Sequence, residues 1–182
     1  GSDKVMYYIK DLLESENLID VKELTLDTYS DSRGHIWPLY SSDNDFLPSF
    51  VDDKITISHK GVLRGLHGDS EIGKLITCLA GSFQLVVVDL RKHSKSYGKK
   101  QGWILTEENP VSIYVPQGFV NGHLCLSSMC IFHYKWTKSY NGSEKQTTIR
   151  WDDPNLNIQW LEKKPILSER DIKGISSEGI FL

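Results

Sequence analysis

The sequence predicts an all-β chain, folded as a sandwich or a barrel. Three observations carry this. Apolar runs of strand length recur about every ten residues. Gly, Pro, Asn and Asp cluster between them, where turns need their backbone freedom or side-chain hydrogen bonds. Some runs also alternate with the two-residue period that an extended chain imposes.

In chain order, Val5–Leu18 (VMYYIKDLLESENL) mixes apolar and charged residues and predicts a short helix, after which β signals begin near Val21. Lys74–Leu79 and Phe83–Asp89 flank Ala80–Gly81–Ser82, which reads as a hairpin or a tight strand connection. Trp103–Thr106 and Val111–Val115 flank a turn at Glu107–Pro110. Pro116–Phe119, followed by Asn121–Gly122–His123, reads as a glycine-rich turn at a barrel mouth. In Met129–Trp136, Cys130, Phe132, Tyr134 and Trp136 share one face, and Ile131, His133 and Lys135 the other. Thr147–Trp151 reads as a further strand, and Asp152–Asn155 as a turn. Leu167–Asp171 resembles a helix start, with Ser168 as N-cap and Asp171 in the capping-box position.

Length and composition bound the rest. The 182 residues suit one domain, and 39% apolar with 25% charged residues is ordinary for a globular chain. A net charge of −3 argues against nucleic acid, so an anionic ligand must be held by locally placed Arg and Lys. Cys78, Cys125 and Cys130 form no CxxC and read as small buried residues. There is no early signal-like apolar segment and no run of eighteen apolar residues. Neither secretion nor a membrane span is expected, and a reducing cytoplasm fits. Gly1–Ser2 reads as a tag-cleavage scar.

The chemistry concentrates in Gly61–Lys74, GVLRGLHGDSEIGK. His67 is of the residue type best suited to proton transfer at neutral pH. Arg64 offers a planar fork for phosphate, and Lys74 a point charge for a developing oxyanion. Together they suit proton abstraction beside a carbonyl on a phosphate-bearing substrate. Tyr134, on the inward face of its strand, is a candidate general acid. Arg33, in the turn Asp31–Gly34, is a second candidate phosphate contact.

These segments resemble the nucleotide-sugar epimerases of the dTDP-4-dehydrorhamnose 3,5-epimerase family. The resemblance runs from about Leu24 to Asp171. It rests on DSRG (Asp31–Gly34), GVLRGLH (Gly61–His67), GKL (Gly73–Leu75), VVVDLR (Val86–Arg91), PQGFVNGH (Pro116–His123), YKWTKSY (Tyr134–Tyr140), WDDP (Trp151–Pro154) and LSERD (Leu167–Asp171), in the family's order. It implies a cupin-like double-stranded β-helix, acting as a homodimer on a nucleotide-diphosphate sugar with no cofactor or metal. By the same resemblance His67 is the base, Tyr134 the opposing proton donor, and Lys74 the residue near the C4 oxygen. Asp171 or Asp89 orients His67, with Asp171 favoured. Arg33 and Arg64 match diphosphate contacts, and Tyr140 lies near the nucleotide base with Glu144 close by.

Three departures fall at expected pocket positions. Asn121 stands where the family commonly has histidine, with His123 two residues on. Gly68–Asp69 replaces an aromatic and Gln, which suggests room for a larger sugar. Lys54–Ser58 replaces an NHS-like stretch. The GFVNGH variant resembles the branch acting on GDP-linked 4-keto-heptoses in capsule synthesis. Inversion at C3 alone, or at C3 and C5, stays open. Two rivals have different chemistry. A metal-dependent cupin would use His67, Asp69, Glu71 and His123. A non-catalytic sugar-nucleotide binding module would need Arg33, Arg64 and Tyr140 but neither His67 nor Tyr134.

Overall fold

A computed structural model describes residues 8–140 and 142–182. Gly1–Ser2 and the first residues of the predicted N-terminal helix lie outside the described residues. The remainder of that segment is not helical. It forms strand β1 (Ile9–Glu14), which pairs antiparallel with β2 (Lys22–Leu26). Tertiary packing decides this: Tyr8 and Ile9 bury against Leu24 and Leu26, with Leu12 packed alongside.

Two short strands, β3 (Tyr29–Asp31) and β4 (Gly34–Ile36), form a separate hairpin. The main body follows with β5 (Asp52–His59), β6 (Leu63–Gly68), β7 (Lys74–Ala80), β8 (Ser82–Asp89), β9 (Lys100–Thr106), β10 (Val111–Val115), β11 (Phe119–Cys125) and β12 (Met129–Trp136). A short β13 (Thr147–Thr148) and a one-turn helix α1 (Glu169–Ile172) complete it. One antiparallel sheet has the order β1-β2-β10-β7-β12-β5, and the other β13-β6-β11-β8-β9. The predicted all-β, cupin-like architecture is what the chain adopts.

The core lies between the sheets, where Ile76 and Cys78 of β7 meet Phe83, Leu85 and Val87 of β8 and Phe132 of β12. At roughly 1.5–3 kcal/mol per fully buried large apolar side chain, this layer dominates the stabilisation. The opposite face of β8 is also covered. Val86 and Val88 pack with Leu66, Val120, Ile149 and Leu156, over which Trp160, Ile180 and Leu182 lie. Burial on both faces explains why Val86–Val88 shows no alternation.

Three local readings change. Of the two readings of Ala80–Gly81–Ser82, the tight strand connection holds and the hairpin does not. β7 pairs with β10 and β12, whereas β8 pairs with β11 and β9. Gly81, at φ +70°, turns the chain from one sheet into the other, and a Cβ there would lie 2.2 Å from the Met129 carbonyl oxygen. Asn121–Gly122–His123 is strand interior rather than turn, because β11 is buried throughout between β6 and β8. In the predicted strand Thr147–Trp151, Thr147–Thr148 pairs with β6, Ile149 forms a single bridge to Ile175, and Trp151 begins a turn. Cys78, Cys125 and Cys130 are free and buried, as read from the sequence. No helix among the described residues is long and apolar enough to cross a membrane.

Candidate active site

Both sheets contribute to a cavity of about 430 Å³. β5, β7 and β12 supply Lys54, Thr56, Lys74, Phe132, Tyr134 and Trp136. β6 and β11 supply Arg64, His67, Asn121 and His123, and the segment from Ile166 to Asp171 closes one side. His67 and Tyr134 therefore line one compartment.

His67 Nε2 lies 2.6 Å from Asp171 Oδ1. Asp171 is brought there by α1. Ser168 caps the helix by accepting from the Asp171 N–H at 3.2 Å, and Asp171 Oδ2 accepts from the Gly65 N–H at 3.1 Å. Burial opposes the charge on Asp171, but the His67 hydrogen bond and charge, the Gly65 N–H and Arg170 together hold its carboxyl below the usual range. An ionised carboxylate only accepts, so Nε2 carries the hydrogen and Nδ1 is the ring's proton-accepting atom. Asp89 has no part in this. It is held by Arg91, Ser94 and Ser96.

Lys74 is 5% exposed. Its Nζ donates to Asn121 Oδ1 at 2.8 Å and reaches the His67 carbonyl oxygen at 3.5 Å. Burial pushes its ammonium down to about 8, against the pull of the Asp69 charge. Tyr134 moves the other way. Burial raises its phenol, partly offset by Thr56 and Arg64, so it holds its proton across the neutral range. Arg64 Nε donates to Ser58 Oγ at 3.0 Å.

His123 stacks on Phe132 with ring centroids 3.9 Å apart. Burial, then the Arg64 charge, pushes its imidazole down to about 3, so it is neutral at any working pH. Its Nε2 is buried and, among the described residues, has no partner. Tyr140 is at the cavity rim, and its N–H donates to Asp52 Oδ2 at 3.1 Å.

Two predicted site residues are elsewhere. Arg33 is in the β3–β4 hairpin, its side chain 89% exposed and closed onto the Asp31 carboxylate at 2.6 Å. The fork is thus satisfied within its own turn, away from the cavity. Glu144 belongs to a 3-10 turn and folds back beside Gly142 rather than lining the cavity. Gly68 does not open the pocket either. A Cβ there would lie 2.0 Å from the Phe119 carbonyl oxygen, so the missing side chain leaves room for β11 and not for a larger sugar.

The residues of the rival metal set are not gathered. Asp69 caps the turn through the Glu71 and Ile72 N–H groups and accepts from Gln146. Among the described residues no group of three or more His, Cys, Asp or Glu side chains is arranged to hold a metal ion. The sequence placed Lys54 at the pocket only as part of the Lys54–Ser58 departure and gave neither it nor Arg170 a role, though both are cavity residues. The alternation of Lys54, Thr56 and Ser58 along β5 was the available signal for the first. Adjacency to Asp171 was the signal for the second.

The sequence profile of the dTDP-4-dehydrorhamnose 3,5-epimerase family matches residues 15–178. A dTDP-4-dehydrorhamnose 3,5-epimerase of Methanothermobacter thermautotrophicus is 36% identical over 90% of both chains. That of Salmonella typhimurium is 35% identical over 84% of this chain and 87% of its own. The crystal structure of dTDP-6-deoxy-D-glucose-3,5-epimerase from Legionella pneumophila, in complex with dTDP-4-keto-L-rhamnose, aligns with a TM-score of 0.86. It is 32% identical and covers 92% of each chain. With matches spanning nearly the whole length, the chain belongs to the dTDP-4-dehydrorhamnose 3,5-epimerase family.

Proposed function

We propose that this chain is a nucleotide-diphospho-4-keto-sugar 3,5-epimerase, and one observation carries the reading. An imidazole held by a carboxylate, a proton-bearing phenol and a buried ammonium converge on one cavity.

A ketone at C4 makes the hydrogens on C3 and C5 acidic. His67 removes one of them through Nδ1. Asp171 holds the ring and stabilises the imidazolium that forms. The electron pair moves to O4, and Lys74 supplies the facing positive charge in a site where little water competes. Tyr134 returns a proton to the opposite face and inverts the centre. Arg64 holds the diphosphate through its guanidinium, and Tyr140 offers a ring to the base.

The sugar is a GDP-linked 4-keto-heptose used for capsule or other surface polysaccharide, and the enzyme works as a homodimer. The support for the heptose is the polar pair Asn121 and His123 on the cavity wall, together with the GFVNGH resemblance. The experiment is incubation with GDP- and dTDP-linked 4-keto sugars in D₂O, followed by mass spectrometry. Solvent deuterium should enter at C3 and C5 of the GDP-linked heptose. Uptake at C3 alone would narrow the reaction to one centre. No uptake with any of the substrates would overturn the epimerase reading.

A further inference from the structure

Lys54 stands directly opposite Tyr134 in the β5–β12 register. Its Nζ is 4.5 Å from the centroid of the Trp136 ring and 4.1 Å from that of Tyr140. Among the described residues it makes no hydrogen bond or ion pair. Trp136 is 4% exposed, and its Nε1–H is buried without an acceptor. The indole nitrogen is thus out of a ligand's reach, and this corner presents the half-exposed Tyr140 ring and the unpaired Lys54 ammonium. Lys54 has three N–H donors and no acceptor. Such a corner suits a flat ligand with acceptors along one edge.

We propose that Lys54 selects the nucleobase, favouring guanine over thymine; this rests on the cavity taking a nucleoside-diphosphate sugar. Guanine carries O6 and N7 side by side, both acceptors, and one ammonium spans them. Thymine offers a single O4 flanked by a methyl group. Adenine sets an amino donor beside N7, which opposes the cation. The Tyr140 ring supplies a stacking face that any base can use, so it adds affinity without choice. The choice then falls to Lys54.

The test is calorimetric binding of GDP, dTDP and inorganic pyrophosphate to the full chain and to Lys54→Met and Lys54→Arg. The wild type should bind GDP about tenfold or more tighter than dTDP. Lys54→Met should bring that ratio to within about twofold while leaving pyrophosphate affinity unchanged. Lys54→Arg, which can also bridge O6 and N7, should keep the preference and guards against a folding defect in the methionine variant. A wild-type preference for dTDP, or no nucleotide binding, would overturn the proposal. So would an equal loss of all three ligands in Lys54→Met, which would make Lys54 a phosphate contact. These ligands carry no sugar, so the outcome is independent of turnover. Selective GDP binding without epimerisation would count against the catalytic reading alone.

Discussion

His67 and Asp171 meet across 104 positions of sequence, and their contact fixes which ring nitrogen is free to accept a proton. The kinds of side chain were legible early. His67, Arg64 and Lys74 stand in one short polar stretch between apolar runs, and all three reach the cavity. The partner of His67 was legible only through the family resemblance, which favoured Asp171 over Asp89, because nothing local in the sequence joins either aspartate to the ring. Lys54 was given no role of its own because a cavity lysine and a solvated lysine look alike in one dimension. Arg33 lies outside this chain's cavity, where the carboxylate of its own turn occupies it. Lys74 gives a pH prediction. Its ammonium is charged below about 8 and loses its proton above it. Tyr134 stays protonated through that range because burial raises its phenol. The pH profile of kcat/KM, which reports groups of the free enzyme, should therefore fall through an alkaline limb near pH 8. A flat profile from pH 7 to 10 would remove Lys74 from the O4 position.

At the level of elements, local signals were reliable where one strand or cap decided them. Met129–Trp136 turns its alternate aromatic residues inward, and Ser168 caps α1. Signals failed where pairing partners lie far apart in sequence. The β7 and β8 runs look like a hairpin, yet each joins a different sheet, and Gly81 is the only local trace of that crossing. β11 reads as a turn because Gly118, Gly122 and Asn121 suggest one, and burial between two neighbours overrides them. The α1 cap links stability to chemistry, since Ser168 Oγ binds the backbone of the residue that holds His67. Ser168→Ala should cost about 1 kcal/mol of stability and lower turnover, whereas Ser168→Asp should keep both. Thermal melting with parallel rate measurements checks this. An alanine variant with unchanged midpoint and rate would show that the cap does not position Asp171.

Taken as a whole, the molecule carries a charge of −3, yet among the described residues its cavity gathers Lys54, Arg64, Lys74 and Arg170 against the single carboxylate of Asp171. A low-dielectric recess lined this way focuses a positive field on a diphosphate that the overall charge would repel. Composition could exclude a basic surface but could not locate this concentration, because three of its four cations come from different strands and the fourth from α1. The all-β class was legible because strand period and turn residues agree along most of the chain. The sheet order was not, since β10 joins β2 and β7 across long stretches of sequence. The account rests on a base and an acid acting on opposite faces of one bound ring. Its most direct test is a comparison of His67→Asn and Tyr134→Phe with wild type, using the 4-keto substrate in D₂O, with deuterium uptake and stereochemistry read separately by NMR. The account predicts that His67→Asn abolishes both, while Tyr134→Phe still exchanges deuterium but inverts slowly. Exchange retained in His67→Asn, or normal inversion in Tyr134→Phe, would contradict it.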